Sequence, residues 1–71
     1  MIFKKIEKTL TVEGMHCQKC VARITEALKN IDGVKKVSID LDTKKVIVIS
    51  KNEIATHVLS AAIEKLGFNV I

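Results

Sequence analysis

The sequence has no proline, tryptophan or tyrosine, and its only aromatic residues are Phe3 and Phe68. With isoleucine, valine, leucine and alanine spread throughout, this is not the composition of a disordered segment. The shortage of aromatics also bears on nucleic acid, because modules that read RNA on an open sheet stack bases on aromatic side chains. The lysines are scattered rather than gathered, so nucleic-acid binding is not expected. Long hydrophobic runs are missing too. No stretch approaches the ~18 apolar residues of a membrane span, and the opening MIFKKIEK carries lysines without the apolar core of a signal peptide. The chain therefore reads as a soluble, cytoplasmic protein without membrane insertion. Its 71 residues make one domain, 1–71, with no linker, repeat or low-complexity run. Met1 and the end at Ile71 favour a free-standing protein.

Cysteine is scarce, and both copies stand together in Gly14-Met15-His16-Cys17-Gln18-Lys19-Cys20. In a reducing compartment such a pair argues against a structural disulfide and for metal or redox chemistry. The net charge of +4 suits solubility or an acidic partner.

Hydrophobic periodicity switches between two and 3.6 along the chain. From Lys5 to Val12, Ile6, Leu10 and Val12 share one face and Lys5, Glu7, Thr9 and Thr11 the other, as in a strand. Val21, Ile24, Leu28 and Ile31 then recur at helical spacing to about Asn30, with Asp32-Gly33 as a stop. Val34 to Leu41 alternates with Val37, Ile39 and Leu41 inward. Asp42-Thr43-Lys44 makes a turn, and Lys45 to Ile49 returns as a second hairpin strand. Ser50 and Glu53 have capping-box spacing ahead of a helix that buries Ile54, Val58, Leu59, Ala62, Ile63 and Leu66 and ends at Gly67. Phe68 to Ile71 leaves room for a short last strand. The expected fold is α+β, a ferredoxin-like βαββαβ sandwich: a four-stranded antiparallel sheet with two helices on one face. Its open face would show Thr9, Thr11, Ile47 and Ile49.

This order puts Cys17 in the loop before the first helix and Cys20 in or just before its first turn. Three residues of separation let both sulfurs point to one spot. The helix N-terminus and the cation Lys19 favour thiolates, with the loop residue Cys17 expected to ionise first. Thiolates are the donors that soft metals take. A lone CxxC is shared by zinc sites, redox enzymes and metal carriers. A structural zinc site needs four ligands, and His16 and His57 are isolated from one another. A thiol-disulfide oxidoreductase stays open as a distant alternative, though neither a small residue nor proline lies between the cysteines.

The segments KTLTVEGMHCQKC, IDGVKKVSIDL and AIEKLGFNV resemble the heavy-metal-associated domain family, which includes cytosolic copper chaperones and the N-terminal domains of copper-transporting P-type ATPases. The family motif Gly-Met-x-Cys-x-x-Cys is matched by Gly14, Met15, Cys17 and Cys20. The resemblance implies that Cys17 and Cys20 are the Cu(I) ligands, with Zn, Cd or Hg as alternative soft metals. It implies a packing role for Met15, a solvated His16 beside the site, and a bacterial-type aromatic, Phe68, covering core and sulfurs together. Relatives handling zinc or cadmium often carry a carboxylate at the position of His16, so the histidine tilts the choice toward copper. The implied function is that of a metallochaperone, not an enzyme. Copper would pass by thiolate exchange to a copper-transporting ATPase or a copper-responsive repressor, with Lys19 and Arg23 docking the partner. Lys44 and Lys45 are expected at the same end. The chain would be a monomer when metal-free, with a metal-bridged dimer as a further state. The alternative is an excised N-terminal domain of such an ATPase.

Overall fold

In the computed structural model, residues 5–71 are described, so Phe3 lies outside the described residues. The elements run β1 (Ile6–Glu13), α1 (Gln18–Lys29), β2 (Val34–Asp40), β3 (Lys45–Ser50), α2 (Thr56–Glu64) and β4 (Asn69–Val70). The strands form one antiparallel sheet in the order β2-β3-β1-β4. This is the ferredoxin-like arrangement the periodicity implies.

The register explains which face is buried. Leu10 lies opposite Val46, and both point into the core with their same-face neighbours Val12 and Val48. Ile24 and Leu28 from α1 and Leu59 and Ile63 from α2 join them, so both helices cover one face of the sheet. Each such side chain contributes roughly 1.5–3 kcal/mol by leaving water. On the other face Thr9 is exposed, and Thr11, Ile47 and Ile49 are half-buried. No helix among the described residues is long and apolar enough to cross a membrane.

Two details of α2 differ from expectation. Its cap is Ala55, with no side-chain hydrogen bond. Ser50 is the last residue of β3, where its hydroxyl donates to the Asn52 carbonyl at 2.7 Å, and Glu53 pairs with Lys8 at 2.7 Å. A local carbonyl and a distant lysine thus take the two members of the supposed capping box. Val58, expected in the core, is 40% exposed, because the helix turns Leu59 and Ile63 inward instead. Gly67 follows α2 with φ +100°, a left-handed conformation that favours glycine, and its N–H bonds the Glu64 carbonyl at 2.9 Å. That turn delivers Phe68 to the edge of β1.

Candidate metal centre

After Glu13 the chain must reverse and start a helix within four residues. Gly14 makes the reversal at φ +98°, a conformation that costs an L residue about 1–2 kcal/mol. A Cβ there would meet Phe68 Cδ1 at 3.5 Å, an ordinary contact, so the dihedral rather than crowding calls for glycine. Met15 then turns inward, 6% exposed within the hydrophobic core, and anchors the loop. His16 and Cys17 are left exposed.

Cys17 is the N-cap of α1, with extended backbone at φ −151° and ψ 172°. Its carbonyl accepts the Cys20 and Val21 N–H groups at 3.1 and 3.3 Å. No side chain caps this helix and no acidic residue stands in its first turn. The first N–H groups and the positive end of the helix dipole therefore face the loop without a compensating anion. Cys20, the third helical residue, is half-buried, and the two Sγ atoms of these free cysteines lie 3.6 Å apart. Among the described residues, no group of three or more His, Cys, Asp or Glu side chains gathers as a metal cluster. The soft donors brought together here are the two sulfurs.

Interactions that favour a thiolate converge on Cys20. Its pKa is lowered from the ordinary 9.0, first by a hydrogen bond from the His16 backbone, then by the Cys17 side chain. The Cys17 backbone and the Arg23 charge lower it further, against some desolvation. The contributing cation is Arg23 rather than Lys19. Backbone geometry of a loop is invisible in the sequence, and so were these contributions to Cys20.

Phe68 is half-buried, packs on the core and lies against Gly14, held there by the β1–β4 pairing of Glu13 with Asn69. Lys19 and Arg23 are exposed on α1, one helical turn apart. The β2–β3 turn reaches the same end, as expected: the Lys44 carbonyl accepts the Val12 N–H at 2.9 Å, and Lys45 Nζ donates to Thr11 Oγ1 at 2.9 Å. The turn is not purely basic, however. Asp40 Oδ1 accepts the Asp42 and Thr43 N–H groups at 2.9 and 3.4 Å, and a cleft lined in part by Gln18, Val21, Asp40 and Asp42 joins this turn to the start of α1.

The sequence matches the heavy-metal-associated domain family over residues 9–69. The fold and the exposed pair of soft donors define a small module of the metal-handling kind, and the chain belongs to that family. It is 38% identical to the copper chaperone CopZ of Enterococcus hirae over 64 residues, covering 89% of this chain and 93% of that protein. It is 41% identical to a mercuric reductase of Shewanella putrefaciens over 59 residues, but these are 83% of this chain and only 11% of the reductase. Among solved structures, a CopZ metallochaperone superposes with TM-score 0.86 at 34% identity, covering 93% of this chain and all of that one. The yeast copper transporter domain Ccc2a, solved in apo and Cu(I)-loaded states, gives 0.85 at 34% identity, covering 90% and 89%.

Proposed function

We propose that this protein is a Cu(I) carrier that holds the ion between Cys17 and Cys20 and passes it on by thiolate exchange. The observation that carries the reading is the pair of free thiols 3.6 Å apart at an uncapped helix start. Metal–thiolate bonds of about 2.3 Å would set sulfurs on opposite sides of an ion ~4.6 Å apart, so the pair opens by ~1 Å on loading. Cys17 is exposed and free to rotate by that amount. Two soft donors suit a soft ion and leave it coordinatively open. An incoming thiolate can therefore add before Cys17 or Cys20 departs, and no free ion is released. This is ligand exchange, not catalysis.

Copper is favoured over other soft metals by the likeness to CopZ and to the Cu(I)-loaded Ccc2a domain. A copper-transporting ATPase or a copper-responsive regulator is the proposed acceptor, docking against Lys19 and Arg23, with Phe68 limiting water at the sulfurs. A second reading is favoured by the reductase match, in which a chain like this one corresponds to a small part of a larger protein. There the same thiols would relay metal to a neighbouring domain. The test is competition for Cu(I) against a chromogenic chelator. Cys17→Ser/Cys20→Ser is expected to lose well over the ~100-fold that outer-shell changes cost, with an unchanged circular dichroism spectrum. Retained tight binding would remove the site from these residues.

A further inference from the structure

At the pole opposite the thiols, a shallow cup is lined by Lys29 at the end of α1, Lys35 at the start of β2 and Lys51 just past β3, with Asp32 and Gly33 between them. The three elements are held in register there, since the Lys51 N–H donates to the Gly33 carbonyl at 2.9 Å. All three lysines are exposed, and Lys36, also exposed, follows Lys35 on β2. Among the described residues the ion pair found is Lys8–Glu53, so the cup's lysines, like the other basic side chains, make none. Asp32 is the one acidic residue on the lining. The thiol pole is basic too, with Lys19, Arg23, Lys44 and Lys45 against Asp40 and Asp42, but its cations are divided between α1 and the β2–β3 turn instead of lining one cup.

We infer that this pole docks on an anionic lipid surface. Apart from Ile31 and Val34 the cup is lined by polar residues and Gly33, with no aromatic residue, whereas protein interfaces centre on buried anchors, commonly Trp, Tyr or Arg. Three lysines on flexible stems suit a surface of mobile headgroups, which demands no shape match. The twelve residues of α1 span ~18 Å, so a molecule resting on this pole keeps its thiols that far above the headgroups, free to meet another protein. Docking of this kind goes beyond metal carriage and does not need the metal.

The test is co-sedimentation of the metal-free full chain with vesicles of phosphatidylglycerol and phosphatidylcholine, against vesicles of phosphatidylcholine alone. Binding is expected on the anionic vesicles only, and it should weaken as salt shortens the Debye length. At ~1 kcal/mol per basic residue near such a surface, each lysine is worth about fivefold, so Lys29→Gln/Lys35→Gln/Lys51→Gln should lose ~100-fold. A charge-matched control, Lys44→Gln/Lys45→Gln/Lys65→Gln, should lose far less. Equal losses in the two triple variants would mean that net charge alone acts, and the pole would lose its role. Absence of binding to anionic vesicles at low salt would overturn the inference, as would binding to polyglutamate but not to vesicles. Because no copper is present, none of these failures touches the carrier reading.

Discussion

The two helices begin alike. Both caps, Cys17 and Ala55, are extended, neither makes a side-chain hydrogen bond, and neither first turn holds an acidic residue. Each start is also anchored by a buried apolar residue, Met15 two positions before one cap and Ile54 one position before the other. An uncapped, anchored helix N-terminus is therefore not enough to bring two soft donors together. The difference lies in what the chain places there. Before α1, Gly14 swings the loop around and leaves His16 and Cys17 outside; before α2, Glu53 is engaged by Lys8 at 2.7 Å. At the cap and three residues on, α1 carries Cys17 and Cys20 where α2 carries Ala55 and Val58.

Moving the donors breaks this comparison most directly. In a Cys17→Ser/Cys20→Ser background, Ala55→Cys/Val58→Cys recreates the cap and third-residue spacing on an exposed helix start. Chelator competition is expected to show some Cu(I) binding restored, but weaker than native by 10–100-fold, the range in which surroundings rather than ligands tune a metal. Full recovery of native affinity would show that the Gly14-Met15 loop adds nothing beyond holding two cysteines.

A smaller effect is expected from Met15→Leu. The thioether lies in the core, and leucine has a similar volume, so stability should fall by less than about 1.5 kcal/mol in a urea titration. Cu(I) affinity should stay within a few-fold of native. A large loss of affinity with stability intact would make the sulfur a ligand and the anchor reading wrong.

Much of this was legible in the sequence, and what was not shares one cause. Alternation in TLTV and from Val34 to Leu41, the apolar VIVI run and the 3.6-residue spacing from Val21 to Leu28 are repeated local signals, so they named the strands and the helices. Gly14, Met15 and the cysteine spacing placed the loop. The failures involve side chains whose partners are chosen by the folded backbone and not by residue type and spacing. Ser50 and Glu53 have the spacing of a cap, but a neighbouring carbonyl and Lys8 claim them. Lys19 is beside Cys20 in sequence, yet Arg23, one turn further along α1, supplies the field. Asp40 looked like an ordinary strand residue until its carboxylate was seen holding the turn that faces the metal loop.

The last comparison, between Lys19 and Arg23, can be tested by titration of the metal-free protein with residue-resolved NMR of the cysteine Cβ. Cys20 should ionise below the ordinary 9.0, since the His16 backbone, the Cys17 side chain and the Arg23 charge all favour its thiolate. An acid whose pKa is depressed by folding adds stability that is complete above its unfolded value and is lost as pH falls through the folded one. Cys20 thus contributes nothing to acid stability and most at alkaline pH. The same depression delays proton competition, so Cu(I) binding should weaken only as pH approaches the lowered value, not from 9.0 downward. Arg23→Gln should move the Cys20 midpoint upward by a small amount, because the guanidinium is the least of the favourable causes. Lys19→Gln should leave it in place. An equal upward shift from Lys19→Gln would mean that sequence proximity, not the turn of the helix, decides which cation tunes the thiol.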